Sequence, residues 1–156
     1  MSPADSRCGS CQDSKEPDLL RNGTLNLDIG IAGMQPADIH TSMLFTDHFV
    51  VVVAINSELG RAGQLTIDDL CVHPHISASR RGFARGPLDD ALEQTGRSRH
   101  AAAVVPSYAL GAVMVLEGDV ICLLPRIMAA HLAERGVPLK LHEVPFDLPT
   151  VEVELR

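Results

Sequence analysis

Phe49-Val50-Val51-Val52-Val53-Ala54-Ile55 is the longest apolar run in the chain, and this stretch decides the fold class. Four consecutive β-branched residues favour a strand, and the lack of polar alternation is typical of a strand buried on both faces of an α/β sheet. The run is far shorter than the ~20 apolar residues of a membrane-spanning helix. We therefore predict that it forms an inner strand of an α/β domain.

Short strands alternate with helices after this run. Strands are predicted over residues 75–78, 100–105, 120–124, 139–144 and 151–155, and helices over residues 87–95, 107–117 and 125–136. The short connections between them imply parallel βαβ units with right-handed crossovers. In such sheets ligands bind beyond the carboxyl ends of the strands. The turns of residues 78–86, 106–108 and 125–126 are therefore the candidate sites.

The part of the chain before the apolar run shows three different patterns. Residues 1–15 are polar without periodicity, which indicates a disordered leader. Residues 16–23 resemble the last turns of a helix that ends at Gly23, and residues 25–31 alternate apolar and polar as a strand does. Further on, Thr66 and Asp69 have the spacing of a capping box at the start of a short helix.

The composition argues against nucleic-acid binding by this chain alone. Its 156 residues carry a formal net charge of −7, with 3% aromatic residues and no Trp. Proteins that bind DNA neutralise phosphates with clustered Lys and Arg, and single-strand binders stack bases on aromatic rings. The amino-terminal residues lack the basic start and apolar stretch of a secretory signal, so we expect a cytoplasmic protein.

Cysteines and histidines predict no metal site. Cys8 and Cys11 form a Cys-x-x-Cys pair in the polar leader, but a zinc site needs a second pair and a thioredoxin-like site needs a preceding strand. Cys71 and Cys122 lie among apolar neighbours and are interpreted as small buried hydrophobic residues. His73 and His75 would point to opposite faces of a strand, so a shared ion is not expected. Neither a metal nor a cofactor is predicted.

Four landmarks resemble the effector-binding domain of LysR-type transcription regulators. Residues 20–31 are similar to the family's Leu-x-x-Gly-x-Leu-Asp-Leu-Ala-Ile strand, and residues 105–125 resemble its segment that ends in Gly-Ile-Ala-x-Leu-Pro. Residues 44–52 look like its long strand before the crossing between lobes, and residues 65–76 like the crossing helix and the strand after it. The resemblance covers most of the chain from about Leu19 onward, and the order of the landmarks makes it specific.

The resemblance implies a two-lobed α/β fold like that of type 2 periplasmic binding proteins, with parallel or mixed sheets. It implies an incomplete first lobe, formed by residues 16–70 and 139–156, and a second lobe formed by residues 71–138. Nothing in this sequence resembles the family's winged helix-turn-helix, so DNA contact is expected only through a domain absent from this chain. The incomplete lobe is expected to leave Phe49–Ile55 without cover and to favour a homo-oligomer.

The candidate effector-binding residues lie at strand ends and helix starts, and they are Gly30, Gly33, Ser77, Ser79, Arg80, Arg81, Ser107, Tyr108 and Pro125. Ser107 can cap its helix or meet an effector carboxylate at the positive end of the helix dipole. Arg80 or Arg81 offers a planar fork for a carboxylate, although a solvated loop is the other interpretation. Tyr108 adds either a polar contact or packing. The two glycines either admit a ligand closely or make a turn.

The leading hypothesis is that this chain senses a small, anionic effector for a bacterial transcription regulator. A stand-alone solute-binding protein of the same fold is the alternative, and the lack of a signal peptide counts against it. An enzyme is not expected, because the sequence has no nucleophile elbow, phosphate loop, Rossmann glycine signature or metal cluster. An in-frame helix-turn-helix in the upstream genomic DNA would separate the first hypothesis from the second.

We predict that this chain alone does not bind duplex DNA with sequence selectivity, because its net charge of −7 repels the phosphate backbone. An electrophoretic mobility shift assay on fragments that flank its own gene measures this binding. A regulator with a helix-turn-helix and a known operator serves as the positive control. A salt-sensitive, sequence-selective shift by the isolated chain would contradict the prediction.

Overall fold

The computed structural model describes residues 16–33, 36–79 and 82–156. Their contacts divide them into two compact units. The smaller unit contains the described residues up to Phe45 together with Glu152–Arg156, and the larger unit is Thr46–Val151. The predicted leader of residues 1–15 lies outside the described residues.

Six helices and eight strands form the described chain. The helices are α1 Glu16–Arg21, α2 Glu58–Arg61, α3 Ile67–Val72, α4 Pro87–Gln94, α5 Tyr108–Met114 and α6 Arg126–Glu134, and a 3₁₀ turn, Val115–Glu117, extends α5. The strands are β1 Ile29–Ile31, β2 Ser42–Asp47, β3 Phe49–Ala54, β4 Pro74–Ala78, β5 His100–Val105, β6 Ile121–Pro125, β7 Leu139–His142 and β8 Val151–Leu155. None of these helices is long and apolar enough to cross a membrane.

The larger unit is built on a five-stranded sheet with the order β5-β4-β6-β3-β7. Strand β4 pairs in parallel with β5 and with β6, as the alternation of short strands and helices predicts. Strand β3 pairs antiparallel with both β6 and β7. The sheet is therefore mixed, and the predicted α/β fold class is confirmed.

Strand β3 is the most deeply buried strand of this sheet. Val50, Val51, Val52 and Val53 are at most 1% exposed. Val50 and Val52 pack into the core on one face of the sheet, and Val51 and Val53 into the core on the other. Burying one such side chain stabilises the fold by about 1.5–3 kcal/mol. The expectation that this run lacks cover is wrong for the four valines, because β6 and β7 flank β3 and helices cover both of its faces.

The smaller unit is a three-stranded sheet with the order β1-β8-β2 and the short helix α1. The predicted helix end at Gly23 is confirmed, since this glycine has a φ of 72° and Leu25 N donates to Leu19 O at 2.9 Å. Because that bond closes the helix, the strand predicted from residue 25 begins only at Ile29. The exposed large apolar side chains of this unit are Leu27, Ile29, Ile31, Met43, Leu44 and Phe45.

The compact units have other boundaries than the lobes predicted from the sequence. The prediction assigned residues 46–70 and 139–151 to the first lobe, whereas both segments belong to the larger unit. The reason is strand pairing, because β3 and β7 are hydrogen-bonded neighbours in the five-stranded sheet. Sequence order alone gives no sign of this pairing.

His75 is a fully buried titratable residue at the start of β4. Its Nε2 lies 2.7 Å from the carbonyl oxygen of Leu70, and among the described residues its Nδ1 has no hydrogen-bond partner. Burial lowers the pKa of His75 from 6.5 to about 4, although the bond to Leu70 opposes this shift. The folded protein therefore holds this ring neutral at physiological pH.

Replacing His75 with Phe should flatten the dependence of stability on acid pH. Between pH 6.5 and about 4 the unfolded chain binds a proton on His75 that the folded chain does not, so the free energy of unfolding falls as the pH falls. The variant loses the part of this pH dependence that comes from His75. The part that comes from buried His142, whose pKa is also lowered by burial, remains. Urea unfolding at several pH values measures both slopes. Equal slopes in the two proteins would contradict the assignment.

Candidate functional site

The carboxyl ends of β4, β5 and β6 lie along one edge of the five-stranded sheet. The parallel register pairs Ala78 with Val105, so the turns that follow β4 and β5 are adjacent. The antiparallel register pairs Phe49 with Pro125, so the segment that begins β3 reaches the same edge. We call this region the carboxyl edge, and it comprises residues 47–49, 78–79, 105–108, 125–127 and 143.

Ser107 occupies the amino end of α5 on the carboxyl edge. It is the N-cap residue, and its hydroxyl accepts a hydrogen bond from Leu110 N at 3.3 Å. Its side chain is exposed, so the hydroxyl can still donate to a ligand. The Tyr108 ring packs 6.4 Å from the Phe49 ring, centroid to centroid, and belongs to the rim of the core. The structure therefore supports packing for Tyr108 and leaves the Ser107 hydroxyl at the surface.

Gly111 sets how closely α5 approaches the sheet. It is buried in α5, and a Cβ atom added there would lie 2.8 Å from the sulfur of Cys122 on β6. Cys122 is 0% exposed, as predicted, and burial raises its pKa to about 12. The same prediction is wrong for Cys71, which is only partly buried because it lies near the end of the short helix α3. The Cys122 thiol is therefore a packing group. Its contact with Gly111 fixes the position of α5 and hence of Ser107.

The two serines near the end of β4 have different surroundings. Ser77 is 7% exposed, its hydroxyl donates to Ala84 O at 2.8 Å, and it accepts from Arg99 at 2.9 Å. Ser79 donates its backbone N–H to Val105 O at 2.8 Å, and its hydroxyl accepts from Phe83 N at 3.1 Å. Ser77 is thus bonded inside the unit, whereas Ser79 shapes the turn on the carboxyl edge. Arg80 and Arg81 lie outside the described residues.

Arg99 is a structural residue that the sequence analysis missed. Its guanidinium is 6% exposed, binds the Asp89 carboxylate at 2.7 Å and donates to Ala84 O at 2.8 Å. Burial alone would raise the pKa of Asp89, but hydrogen bonds from Arg99 and from Gly86 N outweigh it and hold that pKa below its usual value. Arg99 therefore ties the loop after β4 to helix α4. No sequence signal marks it, because it lies in a polar stretch typical of an exposed loop.

The other end of the carboxyl edge carries charged residues that the sequence analysis also missed. Asp47 is 6% exposed, and its Oδ2 accepts from Ile127 N at 3.0 Å. The His48 ring lies 3.7 Å from Glu143, which forms an ion pair with Arg126. Pro125, the N-cap residue of α6, supplies no side-chain hydrogen bond. The signal that could have found Asp47 is a lone acid at the end of one apolar strand and two residues before the next.

The two candidate glycines belong to the smaller unit. A Cβ atom at Gly30 would lie 1.9 Å from a guanidinium nitrogen of Arg156, which pairs with Asp28 at 2.8 Å. A side chain at position 30 would therefore displace the end of the Arg156 side chain from its place in this internal ion pair. A Cβ atom at Gly33 would meet nothing within 4 Å, so its position is open. Gly33 keeps room for a ligand that Gly30 does not have.

The carboxyl edge is suited to holding a small polar molecule by hydrogen bonds. Its α5 end presents an exposed hydroxyl and the start of a helix, next to the turn shaped by Ser79. Within residues 16–33, 36–79 and 82–156, no group of three or more His, Cys, Asp and Glu side chains could hold a metal ion. The arrangement offers recognition of a ligand, and the residues placed here form no nucleophile–base pair.

This fold is shared by the regulatory domains of transcription regulators. The sequence profile of the LysR substrate binding domain family matches residues 14–153. This chain belongs to that family, and the fold and the resemblance predicted from its sequence are confirmed.

Two solved structures of transcription regulators show the same relationship. The regulatory domain of MexT, a transcriptional activator in Pseudomonas aeruginosa, is 27% identical with a TM-score of 0.75. The match covers 89% of this chain and 67% of the solved chain of that domain. The probable transcriptional regulator PA0477 of the same species is 25% identical with a TM-score of 0.77, over 88% of this chain and 46% of its own. This chain therefore spans only part of each relative.

A more distant structure and the curated proteins complete the comparison. The effector binding domain of QuiR, solved in complex with shikimate, has the same fold at 20% identity, with a TM-score of 0.71 and coverage of 90% of this chain and 66% of QuiR's. No curated protein sequence matches this chain.

Replacing Gly111 with Ala should destabilise the protein by about 1–2 kcal/mol, because the added methyl group overpacks against Cys122. Combined with Cys122→Ala, the same replacement should be neutral or stabilising, since Ala favours a helix over Gly by roughly 1 kcal/mol. Urea unfolding followed by far-ultraviolet circular dichroism measures the four proteins. An equal cost of Gly111→Ala in both backgrounds would show that the contact does not position α5.

Proposed function

We propose that this chain senses a small-molecule effector for a LysR-type transcription regulator. Membership of the LysR substrate binding domain family supports this function, and the two most identical structures described above belong to transcription regulators. The observation that carries the proposal is the carboxyl edge, where the ends of three strands and the start of α5 converge. Ligands of α/β sheets bind at such edges.

The proposed effector contacts at this edge are the Ser107 hydroxyl and the turn that begins at Ser79. Ser107 is already aimed by its bond to Leu110 N, so a ligand that it meets costs little additional ordering. Arg80 and Arg81 are proposed as counter-charges for an anionic group. Tyr108 and Pro125 are proposed as lining residues. Ser77 is a weaker candidate, because its hydroxyl is taken up by internal hydrogen bonds. Gly30 and Gly33 belong to the smaller unit, and a role for them in binding stays a prediction.

The effector is proposed to be a small organic anion. The start of α5 offers partial positive charge, and no side chain of residues 106–110 carries a negative charge to oppose it. The QuiR domain bound to shikimate shows that this fold can hold a small organic molecule. Binding would shift the domain toward one arrangement and so report the effector to the regulator.

The remaining properties follow from the role of a sensor. We propose that the regulator acts as a homo-oligomer in the cytoplasm and contacts DNA through a helix-turn-helix that is absent from this chain. We expect no catalytic activity, since a sensor must release its effector unchanged. Such a sensor requires only that its two conformational states bind the effector with different affinities.

Ser107→Trp should abolish effector binding at the carboxyl edge and leave the fold intact, because residue 107 is exposed and the bulky ring would fill the start of α5. A thermal-shift screen of small organic acids identifies a ligand of the wild-type chain. At a hundredfold excess over its dissociation constant, this ligand stabilises the wild type by about 2.7 kcal/mol. The variant should show no stabilisation.

Two controls make the screen decisive. Ser98→Trp places the same ring in the connection between α4 and β5, outside the carboxyl edge, and should keep the full stabilisation. A ligand that stabilises Ser107→Trp as strongly as the wild type would show that the effector binds elsewhere. Neutral amide analogues of the acid should bind more weakly if the anionic group is recognised.

A further inference from the structure

Two residues at the junction of β2 and β3, Asp47 and His48, accept hydrogen bonds from the amino end of α6. Arg126 N donates to the carbonyl oxygen of His48 at 2.8 Å, and Ile127 N donates to Oδ2 of Asp47 at 3.0 Å. The N-cap residue Pro125 makes no side-chain hydrogen bond, so a carboxylate from another strand does so in its place. Asp47 therefore acts on α6 as a bound anion acts on other helix starts.

The Asp47 carboxylate is enclosed, although it carries a charge. Its side chain is 4% exposed, and its second oxygen, Oδ1, accepts from His48 N at 2.8 Å. A buried carboxylate is tolerated when hydrogen bonds replace the water that it loses. Each oxygen of Asp47 has one backbone amide for this purpose. The negative charge is thus built into the α6 end of the carboxyl edge.

The charges around Asp47 differ from those at the α5 end. Glu143 adds a second carboxylate, Arg126 pairs with it, and the His48 ring lies within 4.0 Å of both acids. Two carboxylates thus face one guanidinium and one histidine. The start of α5 has no charged side chain between residues 106 and 110. An anion at α6 would meet the like charge of Asp47, whereas the cap of α5 is the uncharged Ser107 hydroxyl.

We propose that Asp47 is a specificity-determining residue of the carboxyl edge. Its carboxylate occupies the amino end of α6, closes that end to anionic ligands and so directs an anionic effector to the Ser107 end. The directing role rests on the proposed function, whereas the occupation of α6 does not. Asp47 contacts no effector in this proposal and acts through the amides of α6.

Formate is the probe of this proposal, because it is the carboxylate that Asp47→Ala removes. In the variant, formate should bind at α6 and shift the backbone amide signal of Ile127 saturably in nuclear magnetic resonance spectra. In the wild type, formate should leave the Ile127 signal unchanged and shift only the signals near Ser107. Asp47→Asn keeps the size and one acceptor oxygen of the side chain, so its Ile127 signal should also stay unchanged.

Thermal unfolding gives a second readout of formate binding in place of the Asp47 carboxylate. Asp47→Ala should lower the melting temperature by roughly 2–6 °C, because α6 loses its cap. Sodium formate should restore more of this loss than sodium chloride at equal ionic strength, and it should not raise the wild-type value beyond the effect of chloride. If Asp47→Ala does not fold in chloride, refolding in formate should recover folded protein.

Different outcomes overturn the two halves of the proposal. An Ile127 signal that does not respond in Asp47→Ala, or responds equally in the wild type, contradicts the occupation of α6. A failure of formate to recover an unfolded Asp47→Ala contradicts it as well. Signals near Ser107 that stay unchanged in every protein contradict the proposed effector site and the directing role, while a response of Ile127 in the variant still supports the occupation.

Discussion

The antiparallel insertion of β3 between β6 and β7 is the constraint on which the larger unit depends. It buries Val50–Val53 almost completely and divides the core into two halves, one on each face of the sheet. Because the four valines are identical and both faces are apolar, their packing alone does not set the register of β3. A shift by one residue would instead break the hydrogen bond from Ile127 N to Asp47 and the pairs with β6 and β7.

The carboxyl edge is a consequence of that register. Pairing of Phe49 with Pro125 brings the start of β3 to the start of α6, where Asp47 caps the helix. The same sheet holds β4 and β5 in parallel, so the turn at Ser79 lies next to the turn at Ser107. The start of α6 is thus capped by a negatively charged carboxylate, whereas the start of α5 is capped by an uncharged serine hydroxyl. This asymmetry gives the edge its proposed preference for where an anion binds.

The contacts proposed for this edge are hydrogen bonds, which suit the family of ligand-binding domains to which the chain belongs. A sensor needs a site that holds a ligand reversibly and differs between two states of the protein. Serine hydroxyls and helix amides meet this need, since their bonds form and break without chemical change. The buried groups nearby are used for structure: Cys122 packs against Gly111, and Arg99 ties the loop after β4 to Asp89.

The sequence by itself determined the alternation of strands and helices, the buried strand at Val50–Val53, the helix end at Gly23 and the family. These features depend on local periodicity, on glycine geometry and on the order of short motifs, and each can be recognised within a few residues. The positions of Ser107 at a helix start and of Ser79 after a strand end could be predicted for the same reason, whereas their role in binding stays a prediction.

Only the tertiary structure decided which strands are neighbours and which polar groups are already bonded. The pairing of β3 with β6 and β7 joins residues far apart in the chain, and it placed β3 in the larger unit. Asp47, 80 residues from its partner Ile127, and Arg99, 22 residues from Ser77, depend on the same long-range packing. Their roles come from burial and from donors supplied by other elements, and neither is encoded in the residues beside them.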